Sequence, residues 1–153
     1  MSNQVLQATR ALAVIPSDAV NIPYPNVVLT GTTTTSGINA LRDSTADFVQ
    51  SGIKVGDTVF NESTGKFATV VSVAPTRLGM SNSNLDGGGE NYVIYQGENT
   101  GCTLYVGTAG DLHFVTAGNN QTLMITVRAG TFIPIKSLKV LETTSCADII
   151  ALW

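Results

Sequence analysis

Short runs in which apolar and polar residues alternate cover most of this chain, and turn-forming residues separate them. The clearest run is 122–127, where Leu, Ile and Val occupy one set of alternating positions and Thr, Met and Thr occupy the other. Successive side chains of a strand point to opposite faces, so this alternation indicates a half-buried strand. The pattern predicts an all-β chain with strands at 11–14, 27–29, 55–60, 67–73, 77–81, 92–95, 103–106, 112–116, 122–127, 131–141 and 148–153.

Residues 1–25 and 26–99 are predicted to fold differently, because prolines restrict the first region and tight turns divide the second. The first region is predicted to be extended, because its prolines disfavour helix and suit an edge strand or an arm. The second carries five short strands with tight turns, which favours a small SH3-like β-barrel. Within it, Ser44 and Asp47 fit a capping box, so one or two helical turns are predicted before Gly52. The prolines of the first region are Pro16, Pro23 and Pro25.

Residues 100–153 form a second set of closely spaced strands with Gly-rich turns between them. Strands at this spacing without helical periodicity favour an antiparallel β-sandwich or a jelly-roll-like fold. Pro134 falls inside the long run 131–141. Because proline cannot donate a hydrogen bond to a neighbouring strand, an edge position or a bulge is predicted there.

Charged residues make up only 12% of the chain, about half the usual share in soluble domains, and the net charge is −3. A nearly neutral surface favours burial against partners, although an ordinary Thr-rich β protein has a similar composition. The chain has no Lys/Arg run, which argues against direct nucleic-acid binding. The apolar stretch 11–15 is too short to span a bilayer, and residues 1–10 do not have the form of a signal peptide.

The two cysteines, Cys102 and Cys146, allow two interpretations. In a reducing cytoplasm they are expected to be reduced, partly buried thiols. The alternative is one disulfide that ties the start of the second β module to its last turn and forms when the protein meets an oxidising exterior.

The sequence contains no convincing arrangement of catalytic residues. His113 is the single histidine and lies in a strand pattern, and no Gly-x-Ser-x-Gly turn marks a nucleophilic serine. The stretch 82–87 resembles the opening of a calcium loop, but the twelfth position would be Val93, whose side chain cannot bind a cation. The chain is therefore predicted to have no enzymatic activity, cofactor or metal.

Four segments of the chain carry a resemblance: Arg-Ala-Leu-Ala-Val-Ile-Pro-Ser-Asp at 10–18, Leu-Tyr-Val-Gly-Thr-Ala-Gly-Asp at 104–111, Ala-Gly-Thr-Phe-Ile-Pro-Ile at 129–135 and Ile-Ile-Ala-Leu-Trp at 149–153. They resemble small virion proteins of tailed bacteriophages, including proteins described as the head spike base of gene transfer agents. In short versions of these proteins the segment at 10–18 is followed almost directly by the one at 104–111. Here residues 26–99 stand between them, and this stretch looks like a β module that recurs in phage and cyanophage structural proteins.

The resemblance implies a discontinuous module of residues 1–25 and 100–153 into which 26–99 is inserted as a barrel. It also implies a capsid decoration (cement) protein, made in the host cytoplasm, that binds the outside of an assembled phage head. The partners would be the major capsid protein and other virion proteins, and the protein would be a homo-oligomer, with a trimer favoured. No direct contact with nucleic acid or membrane is implied.

Two segments are candidates for subunit or lattice contacts. The Pro-rich segment 21–26 is predicted to reach a neighbouring subunit. The last strand, with the apolar residues 149–153, is predicted to pack between subunits or in the core. An alternative in the same class is the base of a head spike or tail fibre. An alternative of another class is a glycan-binding module in which Tyr92, Tyr95 or Tyr105 stacks on sugars. The candidate interface residues are Asn21, Ile22, Pro23, Tyr24, Pro25, Ile149, Ile150, Leu152 and Trp153.

Overall fold

A computed structural model describes residues 8–85, 87–97 and 99–153, and within these ranges the chain forms twelve β-strands and no helix. The all-β prediction is confirmed. The strands are β1 Ala11–Ala13, β2 Val27–Thr32, β3 Ala40–Arg42, β4 Thr58–Asn61, β5 Lys66–Ala74, β6 Arg77–Met80, β7 Asn91–Tyr95, β8 Cys102–Thr108, β9 Gly110–Thr116, β10 Thr122–Val127, β11 Thr131–Val140 and β12 Ala147–Leu152.

The chain divides into two compact units. Unit 1 combines the residues up to Ile22 with those from Asn99 onward, and unit 2 takes the residues between, from Pro23. The sequence placed these boundaries at 25/26 and 99/100. Each unit has its own hydrophobic cluster.

Unit 1 is built from both ends of the chain. Its antiparallel sheet has the order β1-β12-β8-β11-β9-β10. The first strand pairs with the last, with Leu12 opposite Ala151. The two ends of the chain thus belong to one antiparallel sheet.

The sheet of unit 1 turns a corner within β11. The first part of this strand pairs with β8, as in Ile133 opposite Leu104, and its last part pairs with β9, as in Val140 opposite Phe114. A bulge lies between Ile133 and Ser137, where Pro134 predicted an irregularity. Strands that bend at a bulge let one sheet cover both sides of a core, which gives an antiparallel β-sandwich.

Unit 2 contains the strands β2-β7-β4-β5-β6-β3, again antiparallel. A single bridge joins Thr35, just after β2, to Arg42 at the end of β3. The core includes Leu41, Phe48 and Tyr92, each at most 1% exposed. The unit therefore has six strands where five were predicted, and the SH3-like barrel stays a prediction.

The helical turns predicted after Ser44 do not build a regular helix. Residues 44–52 form successive turns, and two aspartates hold them. Asp43 accepts hydrogen bonds from the Thr45 amide and hydroxyl, and Asp47 Oδ1 accepts one from the Gln50 amide. Both contacts are of the kind that caps the N-terminus of a helix, but within 44–52 the backbone makes only one bond of the α-helical kind, from the Ser51 amide to the Asp47 carbonyl at 2.9 Å.

Candidate docking surface

One row of apolar side chains crosses four strands on the outer face of unit 1. The strand registers place Ala13 opposite Ile150, Ile150 opposite Tyr105, and Tyr105 opposite Phe132. Their sequence neighbours Leu104, Ile149 and Ile133 are buried in the core. Since neighbours along a strand face opposite ways, the row faces outward, away from the core of the unit.

A second row beside the first is also uncharged. It contains Ala11, Leu152 and Thr103, which the same registers bring side by side. Among the described residues of β1, β12 and β8, the nearest acid on this face is Asp148, whose carboxylate accepts a hydrogen bond from Thr108. We call the two rows the outer apolar face; its residues are Ala11, Ala13, Thr103, Tyr105, Phe132, Ile150 and Leu152.

Two aromatic rings form the most prominent part of the outer apolar face. The ring centroids of Tyr105 and Phe132 lie 5.0 Å apart at an interplanar angle of 55°. This is the tilted geometry that aromatic pairs favour. Phe132 is 61% exposed and Ile150 is 37% exposed. Exposed aromatic and aliphatic side chains in a continuous patch are typical of a protein-binding surface.

The predicted interface residues of the last strand divide between the outer face and the core. Ile150 and Leu152 belong to the outer apolar face. Ile149 is 5% exposed and lies in the core cluster. Trp153 is half-buried and packs against the same cluster. The strand therefore packs in the core through Ile149 and exposes Ile150 on the other face, and its contact with another subunit stays a prediction.

The segment from Asn21 to Pro25 is not a free arm. The Ile22 amide donates to the Leu138 carbonyl at 2.8 Å, and Ile22 and Pro23 are both buried. Tyr24 and Pro25 are half-buried, and Asn21 is exposed. Burial leaves Ile22 and Pro23 unable to reach a neighbour while the chain is folded.

Trp153 fastens the two ends of unit 1 together. Its amide donates to the Arg10 carbonyl at 3.0 Å, and its own carbonyl accepts from the Thr9 amide at 2.6 Å. The indole Nε1 donates to Asn99 Oδ1 at 3.4 Å. The side chain thus combines core packing with a polar contact at the indole edge.

Trp153→Ala is expected to lower the free energy of unfolding of unit 1 by about 2 kcal/mol, because a partly buried ring leaves the core cluster. Trp153→Phe keeps most of the packing and should lose less. Chemical denaturation of both variants measures the difference. An alanine variant as stable as the wild type would contradict the role of Trp153 in closing the unit.

The two cysteines are free and buried. The β8–β12 register places Cys102 beyond the Thr103–Leu152 pair and Cys146 beyond the Thr108–Ala147 pair, at opposite ends of the ladder. At about 3.3 Å per residue these ends are about 17 Å apart, whereas a disulfide needs Cα atoms within about 7 Å. The alternative disulfide is therefore not formed within this fold.

Burial also makes both thiols unreactive. It raises the pKa of Cys102 to about 11, and it raises the pKa of Cys146 as well. The thiol of Cys102 donates to the Ser137 carbonyl at 3.3 Å. Because the thiolate is the nucleophilic form, neither cysteine is suited to redox or covalent chemistry at neutral pH.

The loop that resembles a calcium site, residues 82–87, makes hydrogen bonds to the protein backbone through its asparagine side chains. The side-chain amides of Asn82 and Asn84 both donate to the Phe67 carbonyl, and Asp86 lies outside the described residues. Among the residues that the structure describes, no three His, Cys, Asp or Glu side chains are grouped to hold a metal ion. No helix in the described ranges is long and apolar enough to cross a membrane.

Two of the three tyrosines considered for sugar stacking are buried. Tyr92 is 1% exposed and donates its hydroxyl hydrogen bond to Asp43, and Tyr95 is 8% exposed. Sugar stacking needs an accessible ring face, which these two residues do not offer. Tyr105 is half-buried and packs against Phe132.

The sequence did not single out Phe132 as an interface residue, and it considered Tyr105 only for sugar stacking. Alternation along β8 and β11 shows that neighbours face opposite ways, but not which set faces outward. The registers between β8, β11 and β12 supply that information, and they join residues far apart in the chain.

Comparison with protein-family models, curated proteins and solved structures finds no match to this chain. The resemblance to phage virion proteins therefore rests on the sequence segments alone. The outer apolar face is the feature of the structure from which we argue function.

Proposed function

We propose that this protein is a structural virion protein that decorates and stabilises the assembled head of a tailed phage. It binds the outside of the shell, with the major capsid protein as its partner, and has no enzymatic activity. The observation that carries the proposal is the outer apolar face, on which Phe132 and Ile150 are exposed.

The chemistry of this face supports contact with a protein lattice. Aromatic residues are enriched and charged residues depleted at the centres of protein interfaces. Tyr105 supports Phe132 from the neighbouring strand, so the exposed ring is held in place before binding. A preorganised side chain loses less conformational freedom when a partner covers it.

The low charge of the chain fits the same role. Only 12% of the residues are charged, so long-range electrostatic attraction between this protein and the phage head contributes little to their association rate. Affinity then comes from many small contacts repeated by the symmetry of the shell. A protein that binds only the assembled lattice stabilises that lattice by mass action.

Phe132→Glu is expected to weaken binding to empty heads by about tenfold or more, because it replaces the most exposed aromatic ring of the outer apolar face by a charge. Cosedimentation of the purified protein with empty heads of the encoding phage measures this. Ile150→Glu should act in the same direction.

Val71→Glu is the matched control, since Val71 is 53% exposed on β5 of unit 2. It should bind heads as the wild type does. Failure of the wild type to sediment with heads would contradict the proposal, and equal binding by all variants would contradict the assignment of the face.

Copy number separates head decoration from the base of a spike or fibre. Decoration of a whole lattice requires on the order of hundreds of copies per particle, whereas a vertex base requires a few dozen at most. Quantitative mass spectrometry of purified particles, with the major capsid protein as the internal reference, gives this number. A low copy number would favour the spike or fibre base.

A further inference from the structure

Strand β10 is an open edge of the unit 1 sheet. Within the described part of the chain, it pairs with β9 alone, from Thr122 opposite Val115 to Val127 opposite Gly110. Its six residues include no charge and no proline, the features that commonly protect edge strands from pairing. Met124, at its middle, is 56% exposed.

The hydrogen bonds between β9 and β10 determine which backbone groups of β10 point outward. The Thr116 amide donates to the Gln121 carbonyl at 2.9 Å, so these two residues are a hydrogen-bonded pair. Hydrogen-bonded and non-bonded pairs alternate along an antiparallel ladder. The N–H and C=O groups of Thr122, Met124 and Thr126 therefore point away from β9, toward the open edge.

We propose that two copies of this protein join by antiparallel pairing of their β10 strands around a two-fold axis at Met124. In this register Met124 lies opposite Met124 of the second copy, and Thr122 lies opposite Thr126. All three outward residues of each copy then face outward residues of the other. Each copy donates three hydrogen bonds, six in all, and the two sheets become continuous.

The side chains are compatible with the same register. Residues opposite each other in an antiparallel pair share a face. On the outer face, Thr122 meets Thr126 and Met124 meets Met124. On the inner face, Leu123 meets Ile125, and both of these side chains already pack against the core of unit 1. Strand pairing thus extends each apolar core without placing a polar group against it.

Charge does not oppose this contact. Asp111, which accepts a hydrogen bond from Thr126, lies on β9, one strand inward from the edge. The two copies of Asp111 would be three strand spacings apart across the sheet, about 14 Å, and four residues apart along it, about 13 Å. Their separation of about 20 Å exceeds the screening length of about 8 Å at physiological salt. Arg128, just beyond β10, would face Asn120 of the second copy.

This pairing concerns a surface other than the outer apolar face. β10 lies at the opposite edge of the sheet from β1 and β12. A two-fold contact closes at two copies, so the free protein is expected to be a dimer and not the trimer that the family resemblance implies. The dimer can form whether or not the protein binds phage heads.

Met124→Lys is expected to raise the dissociation constant of the dimer by about tenfold or more, because it sets two like charges opposite each other on the two-fold axis. Thr122→Pro should weaken pairing too, since it removes an outward N–H and leaves the bonds to β9 in place. Analytical ultracentrifugation over a range of micromolar concentrations measures both effects. Circular dichroism establishes that each variant is folded.

Val71→Lys is the matched control, because it adds the same charge at a strand position of similar exposure, 53%. It should remain a dimer. Hydrogen exchange provides a second readout: the amides of Thr122, Met124 and Thr126 should be protected in the wild type and exchange faster in folded Met124→Lys. A monomeric or trimeric wild type, or a Met124→Lys variant with an unchanged dimer and unchanged exchange, would overturn the proposal.

Discussion

Replacing Gly110 by alanine is expected to lower the free energy of unfolding of unit 1 by about 3 kcal/mol. A Cβ atom at this position would lie 2.6 Å from the Cys146 backbone nitrogen and 2.8 Å from its Cα. These are backbone atoms, so the clash cannot be relieved by turning a side chain. The turn before β12 would have to move away from β9.

That turn is held closely against the start of β9. The Ser145 amide donates to the Asp111 carbonyl at 2.9 Å, and the Asp111 amide donates to Ser145 Oγ, also at 2.9 Å. Moving the turn would break this pair of bonds and shift the entry into β12. Since β12 contributes to both the core and the outer apolar face, the substitution should also weaken binding to heads.

Gly118→Ala is the control for Gly110→Ala. A Cβ atom at Gly118 would meet no atom within 4 Å. Its cost should be within about 0.5 kcal/mol of zero. Equilibrium denaturation compares the two variants, and equal stability would show that the close approach at Gly110 does not constrain the fold.

Replacing Asp43 by alanine is expected to lower the free energy of unfolding of unit 2 by about 3 kcal/mol. Asp43 is 2% exposed, and its carboxylate accepts hydrogen bonds from the Tyr92 hydroxyl at 2.7 Å and from the Thr45 amide and hydroxyl at 2.9 and 2.6 Å. The substitution leaves the buried Tyr92 hydroxyl without its acceptor, which is the main source of the cost.

Asp47→Ala is the matched control, because Asp47 is exposed and caps a turn through one bond to the Gln50 amide at 3.0 Å. It should cost about 1 kcal/mol or less. Urea denaturation measures both variants. If Asp43→Ala costs no more than Asp47→Ala, the buried carboxylate is not a stabilising centre of unit 2.

The same carboxylate makes stability depend on pH. Burial by itself would raise the pKa of Asp43, but the hydrogen bonds from Thr45 and Tyr92 outweigh it and leave the pKa below the usual 3.8. A carboxyl whose pKa is lower in the folded state stabilises the fold above its unfolded pKa. This contribution should be lost as the pH falls below 3.8, and Asp43→Asn should lose less stability over that interval.

The strands of this chain were largely predictable from alternation, because the pattern is local. β10 begins and ends where the sequence predicts, at 122 and 127. β3 was missed, since its three residues, Ala40–Arg42, are too short to show a period. The capping pattern near Ser44 predicted helical turns, but such a pattern marks only where a helix can start, and residues 44–52 form turns without a regular helix.

The candidate surface was less predictable than the fold. The sequence identified Ile150 and Leu152, but it treated the whole last strand as one surface. Whether a side chain of this strand points to the core or to the exterior depends on which face of the sheet the rest of the unit covers. Strand pairing between segments far apart in the chain decides that. The β8–β12 register is what assigns Ile149 to the core and Ile150 to the exterior.

Electron cryomicroscopy of the native particle tests the central proposal most directly. We expect this protein on the outside of the head, repeated across the lattice, with Phe132 and Ile150 covered by the major capsid protein. A particle whose shell lacks the protein, or one in which these two side chains face solvent, would contradict it.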